Sequence, residues 1–284
     1  MDQLPRLNET AVQILADLIQ ERTGLIYENS RADLMIDRLT PLVIDRGLDS
    51  FLDYYYLLKY DGQSGSEWRK VEAALAVNET YFWREHDQID VAANIIIPKL
   101  QEARPGVPVR VWHAGCATGE EPYSLAIALY RANRFLEGEI EISATDLNQE
   151  ALARARAGIY RSRSFRALPQ PIFDTYFTKI SNNQFLLSDD IRGRVHFSHL
   201  NLVDQKVMVL KRNYDIIFCR NVFIYFAPAA INQVVAHFYD ALNSPGYLFV
   251  AAAESLLRFT TRLEFTEIGG VLTYMKSDGD RQVG

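Results

Sequence analysis

VRVWHAGCATGEEPYSLAIALYR, Val109 to Arg131, is the stretch whose reading decides the fold. Val109–His113 is rich in β-branched and aromatic side chains and predicts a short buried strand. A loop bracketed by Gly115 and Gly119 follows, and then Pro122 opens a run with Leu125, Ala128 and Leu129 at helical spacing. Glycines let such a turn reverse sharply and let a ligand approach the main chain, while free N–H groups at the helix start carry partial positive charge. Phosphate is the usual guest of such a turn. Here Glu120 and Glu121 stand where an anion would lie, there is no P-loop lysine, and G-x-x-x-G is not the dinucleotide fingerprint G-x-G-x-x-G. A cationic or hydroxyl-bearing ligand fits better. On this segment alone, a plain strand–helix turn with an acidic, solvated helix start fits equally well.

The second strand shifts that balance. Ile140–Ala144 (IEISA) predicts another buried strand, and it runs into Thr145, Asp146, Leu147 and Asn148 before a helical stretch from Gln149. An acid at the tip of the second strand of a strand–helix–strand unit is placed to accept hydrogen bonds from ribose hydroxyls. The alternative is a helix N-cap, a job open to Asp146 and to Asn148.

Four stretches taken together carry a resemblance: NETYFWRE (78–85), GCATGEEPYS (115–124), ATDLNQEALARARAGIY (144–160) and FCRNVFIYF (218–226). In this order they resemble the CheR family of chemotaxis-receptor glutamate O-methyltransferases, which use S-adenosylmethionine (SAM). The resemblance runs from about Leu18 to Lys276. It implies an α/β fold: a doubly wound, Rossmann-like methyltransferase sheet with a C-terminal antiparallel hairpin, an N-terminal all-helical module and a small inserted β subdomain. The implied boundaries are 1–77 for the helical module, as a receptor-docking element or a lid, and 78–284 for the methyltransferase domain, with the insertion at 158–195.

The same resemblance implies that Asn78, Thr80, Arg84, Gly115, Ala117, Glu121, Asp146, Asn201, Leu202, Cys219 and Arg220 contact SAM and its product S-adenosylhomocysteine. Arg84, Arg220 and Tyr225 are the implied catalytic positioning groups, and no metal is implied. The expected partner is the glutamate-bearing helical region of a chemoreceptor cytoplasmic domain, reached by a monomer. Arg31, Arg38 and Arg46 are the candidates for a basic docking helix, and the hairpin predicted at Tyr176–Ile180 and Gln184–Leu187 is the candidate for holding a receptor tether. One departure stands out: Ala251-Ala252-Ala253 precede Glu254 where the family pattern would place Gly-His-Ser.

Physical chemistry fits such a reaction. A glutamate carboxyl has a reference pKa of about 4.3, so it is already ionised at neutral pH and needs no general base. The site must supply alignment and desolvation. Guanidinium forks at Arg84 and Arg220 can position carboxylates, and the Tyr225 hydroxyl can orient one oxygen. An N-P-P-Y pattern, the mark of amino-group methylation, is absent after Arg220. Two rival readings keep the fold: a SAM-binding regulator without turnover, and a carboxyl methyltransferase of another acceptor. A nicotinamide enzyme would need the missing fingerprint.

Composition narrows the field. The chain has 284 residues, 48% of them hydrophobic, enough for a helical module plus an α/β domain. A net charge of −6 argues against an electrostatic nucleic-acid binder. The start lacks a basic, apolar leader, and no run approaches the roughly eighteen apolar residues of a membrane span, so the expected location is the cytoplasm, with no membrane insertion. Cys116 and Cys219 suit a reducing compartment. The usual strand order would bring them close together, as two small apolar fillers or, alternatively, as an oxidation-sensitive pair.

Along the rest of the chain, Val12/Leu15/Ala16/Ile19, Met35/Leu39/Leu42/Val43 and Phe51/Tyr54/Tyr55/Leu58 form three helical stripes. Pro41 should bend or split the second, and DGQSGS (61–66) reads as a flexible connection. Ile89–Leu100 predicts a helix broken by Pro98. Val195–Leu200, Tyr214–Cys219 and, after Pro245-Gly246, Phe249–Ala253 predict strands, and Phe265–Ile268 with Val271–Lys276 a terminal hairpin. His196 and His199 lie three apart on a strand and face opposite ways, a poor metal pair, and His113 reads as packing.

Overall fold

A computed structural model describes residues 8–27, 30–61, 65–135, 139–259 and 261–277. The described residues of the N-terminal part form four helices: α1 (Glu9–Thr23), α2 (Ser30–Asp45), α3 (Phe51–Tyr60) and α4 (Ser66–Leu75). The three apolar stripes converge in one cluster containing Leu15, Ile19, Met35, Leu39, Val43, Phe51, Tyr54 and Leu58, joined by Trp68, Val71 and Leu75 of α4. Pro41 neither splits nor ends α2. It lies on the exposed face, while Met35, Leu39 and Val43 are buried opposite it, so packing outweighs the one lost backbone bond. Asp61 caps α4 by accepting the amides of Glu67 and Trp68. Residues 62–64 of the predicted flexible connection lie outside the described residues.

Helix α5 (His86–Val91) continues through a π-turn at Ala92–Ile96 into α6 (Ile97–Ala103). Pro98 therefore does not break the predicted helix. The wider turn just before it absorbs the missing N–H, and Pro98 sits in the first turn of α6, where a donor is dispensable.

The described residues form ten strands, β1 (Val109–Ala114), β2 (Ile140–Asp146), β3 (Ile159–Tyr160), β4 (Phe177–Ser181), β5 (Gln184–Leu187), β6 (Val195–His199), β7 (Tyr214–Phe218), β8 (Leu242–Phe249), β9 (Glu264–Ile268) and β10 (Val271–Lys276). Seven form one sheet in the order β6-β2-β1-β7-β8-β10-β9. β6, β2, β1, β7 and β8 run parallel, and β10 is antiparallel to both neighbours. The order reverses at β1, which is where a doubly wound sheet opens a crevice at its strand ends. Helices α7 (Glu120–Arg131), α8 (Gln149–Ala157) and α9 (Pro228–Ala241) are the crossover elements, and two apolar clusters line the two faces of the sheet. The other three strands form a separate small sheet, β3-β5-β4, within the predicted insertion, and the Asn182-Asn183 hairpin is present.

One strand lies elsewhere than expected. β8 occupies Leu242–Phe249 and ends where the sequence reading began it. Pro245 and Gly246, which precede the expected strand, sit inside β8 at an irregularity in the pairing with β7, which resumes at Ile216↔Tyr247. A bulge is the one interior place that tolerates a proline.

Candidate active site

The crevice at the carboxyl ends of β1, β2 and β7 is a cavity of about 170 Å3. Its floor is the β1–α7 turn. Gly115 has φ +78°, and a Cβ there would meet Val222 at 2.4 Å. Gly119 has φ +89°, and a Cβ would meet Ala155 at 2.9 Å. Both positions thus exclude side chains, and at Gly115 the main chain is left bare toward the cavity. Ala117 is also left-handed, at φ +47°.

Asp146 at the tip of β2 stabilises that turn: its Oδ2 accepts the Ala117 amide and its Oδ1 the Asn148 amide, each at 2.8 Å. Asn148 takes the N-cap of α8, accepting from Glu150 and Ala151, which leaves Asp146 facing the cavity. Burial pushes the Asp146 carboxyl up, opposed by those amide bonds. Each of its oxygens keeps a lone pair for a hydroxyl donor.

Glu121 is held from two sides. Its Oε2 accepts from Arg220 Nε and its Oε1 pairs with His113 Nδ1, both at 2.7 Å. Burial acts to raise this acid, but the Arg220 charge and the His113 contact prevail and hold it at about 2. His113 is therefore more than the packing residue expected from sequence. Glu120, next in the chain, faces away and accepts from Thr118 and Ser164, tying the insertion to the start of α7.

Arg220 is 5% exposed. Besides Glu121 it donates through Nη1 to the Glu85 carbonyl and Gln88 Oε1, and through Nη2 to the Arg84 carbonyl. Its fork is thus spent largely inside the protein: Arg220 fastens the 78–85 loop to the sheet more than it offers a clamp to substrate. The loop needs that fastening, because Trp83 and Glu85 on either side of Arg84 both have positive φ. Arg84 itself lines the cavity, donates to the Glu79 carbonyl and stands over the Tyr81 ring.

Asn78, Thr80, Asn201, Leu202 and Tyr225 also line the cavity. The Asn201 side chain is engaged, donating to the Arg22 carbonyl and accepting the Val203 amide. Cys219 is the exception among the expected cofactor contacts. It is fully buried in the apolar cluster beneath the floor, because its place just after β7 alternates away from the cavity. Cys116 does line the cavity.

The sequence reading allowed the helical module to act as a lid but named none of its residues in the cavity wall. Thr23, Leu25, Ile26, Tyr27, Arg31 and Leu34 also form the wall. The α1–α2 connection pairs with the Tyr225–Ala227 segment: Ile26 N donates to the Tyr225 carbonyl and Ala227 N to the Gly24 carbonyl. Arg31 donates to the Ile224 carbonyl and stands over the Tyr225 ring. No local signal could have shown contacts about two hundred residues apart. Of the other expected docking arginines, Arg38 caps the end of α4 through the carbonyls of Ala74, Leu75 and Ala76, and Arg46 is paired with the buried Glu67.

Comparison with known proteins agrees with this geometry. Residues 78–270 match the SAM binding domain of CheR methyltransferase, and residues 11–75 match its all-alpha domain. The chain belongs to the CheR methyltransferase family. Among CheR relatives, it is 35% identical over 246 residues to chemotaxis protein methyltransferase 2 of Vibrio cholerae, covering 86% of this chain and 85% of that protein. It is 31% identical over 258 residues to the chemotaxis protein methyltransferase of Borreliella burgdorferi, covering 88% and 89%. The corresponding Salmonella typhimurium protein is 31% identical over 258 residues, covering 90% and 87%. The cofactor of this CheR chain is SAM, and the site's chemistry fits it: bare main chain at Gly115, free lone pairs on Asp146 for hydroxyls, and an ionised Glu121 for positive charge.

Proposed function

We propose that this chain methylates glutamate side chains on the cytoplasmic helical region of a chemoreceptor, giving glutamate methyl esters in sensory adaptation. The observation that carries the reading is that two guanidinium groups, Arg31 and Arg84, line the cavity together with Tyr225. Of the described acids that line the cavity, Glu121 is locked between His113 and Arg220, Asp146 is engaged with two backbone amides, and the largely exposed Glu79 is paired with Arg166. An acceptor that must lose a proton would need a base, whereas a carboxylate arrives ionised and is attracted by guanidinium groups. SAM supplies a methyl group on a cationic sulfonium, open to in-line displacement.

In this reading Asp146 takes the ribose hydroxyls, Glu121 the cationic end of SAM, and Asn78, Thr80, Gly115, Ala117, Asn201 and Leu202 complete the cofactor wall. Arg84 and Tyr225 position the acceptor carboxylate, and Arg220 acts by fixing the loop that carries Arg84. Residues 78–284 form the transferase domain with its insertion at 158–195. The module at 1–77 closes the cavity and presents the receptor helix to it. Among the described residues no helix is long and apolar enough to cross a membrane.

Transfer of labelled methyl from SAM to a receptor cytoplasmic fragment tests this. Methyl esters release methanol in mild base, and receptor glutamate-to-glutamine changes should abolish labelling. Base-stable label would identify a nitrogen acceptor and refute the proposal. SAM binding with no transfer to any carboxylate would favour the regulator reading instead.

A further inference from the structure

His113 sits at the end of a ladder of stacked rings. In the sheet register His113 faces Phe218, and Phe218 faces Phe249. The first pair has centroids 4.7 Å apart and planes 4° apart, and the second 4.8 Å and 13°. The imidazole is 0% exposed and cannot swing away from this stack. Its Nδ1 is thereby aimed at Glu121 Oε1, 2.7 Å away. Because Glu121 is ionised, its oxygens can only accept, so the proton resides on Nδ1 and the imidazole donates. Buried Nε2 finds no hydrogen-bond partner among the described residues.

That orphaned nitrogen is informative. A leucine or phenylalanine would also pack on Phe218 and would bury no unsatisfied atom. What histidine alone adds is a donor aimed at Glu121. The terminal torsion of a glutamate is soft, so a carboxylate held only by Arg220 could pivot about that one contact. Two donors, one on each oxygen, fix the plane of the carboxylate before a ligand arrives.

We propose that His113 is a positioning residue for the methyl donor: together with Arg220 it fixes the Glu121 carboxylate in the orientation that receives the cationic end of SAM. This rests on the reading that Glu121 contacts SAM. His113 touches neither donor nor acceptor and acts through Glu121.

Three variants separate the possibilities. In His113→Asn the amide nitrogen falls close to the position of Nδ1 and keeps the donor. His113→Leu removes the donor and keeps the apolar packing. Glu121→Gln removes the charge that both proposals use. Calorimetric titration with SAM, steady-state kinetics and thermal melts are run on all three. The leucine variant should bind SAM roughly tenfold more weakly and show a matching rise in KM for SAM with kcat within about twofold, and asparagine should recover most of the affinity. A leucine variant that binds SAM as tightly as the parent overturns the proposal. So does an asparagine variant that fails to rescue while both melt early, since that outcome belongs to packing. If Glu121→Gln itself binds SAM like the parent, the placement of SAM at Glu121 falls and takes the proposal with it. If only Glu121→Gln is impaired, that placement stands and the role of His113 alone is refuted.

Discussion

A Cβ on Gly115 would lie 2.4 Å from Cγ2 of Val222, so the β1–α7 turn and the loop after β7 approach too closely for any side chain between them. The contact joins the two neighbouring parallel strands whose ends make the cavity floor. Gly115→Ala must both relieve this clash and hold φ +78°, a conformation costing about 1–3 kcal/mol for a residue with a Cβ. Urea unfolding should show a loss of that order, and SAM titration should show binding largely lost. An alanine variant with parental stability and affinity would contradict the account of the floor.

Arg220 makes the second prediction. Arg220→Ala leaves Glu121 with His113 as its one described partner and unfastens the carbonyls of Arg84 and Glu85. Breaking such a buried pair costs roughly 3–5 kcal/mol, and Arg220→Lys should recover little, because one ammonium cannot reach the four acceptors of a planar fork. Both variants should lose transferase activity. Full activity in the lysine variant would show that the fork geometry is unimportant.

Glu72 gives a pH dependence. This acid of α4 is 6% exposed, lies 3.9 Å from His199 across the joint between the helical module and β6, and has a pKa raised from 4.5 to about 7 by burial, against the opposing charges of Arg22 and Arg69. The folded protein therefore holds a proton that the unfolded chain releases near 4.5. This contribution makes stability fall as pH rises from about 4.5 to 7, and it is level above that, with a total of about 3 kcal/mol. Denaturation across this range should show the decline, and Glu72→Gln should flatten it. An unchanged pH profile in the glutamine variant would remove Glu72 as its source.

How much of this was legible in the chain depended on sequence distance. The glycine turn, the acid at Asp146 and the terminal hairpin are local patterns, and the structure contains all three where they were read. Two prolines misled, for the same physical reason. Pro41 and Pro98 each remove one backbone donor, and tertiary packing or a π-turn absorbed the loss. Pro245 hid a strand because its pairing irregularity depends on β7, which the local sequence does not contain. The wall formed by Tyr27 and Arg31 and the internal use of Arg220 are products of tertiary contact between distant segments. The Glu121 partnership of His113 had a faint signal: an imidazole eight residues before an acid on the far side of a tight turn.

The most direct measurement is calorimetric titration with SAM of the parent and of Asp146→Asn, which keeps the volume and one acceptor oxygen but loses the charge at the tip of β2. If the crevice between the helical module and the strand ends is the SAM site, the parent binds and the variant binds about 10- to 100-fold more weakly, with the fold retained. Equal affinity in the two proteins, or a correctly folded parent that does not bind SAM, would contradict that placement.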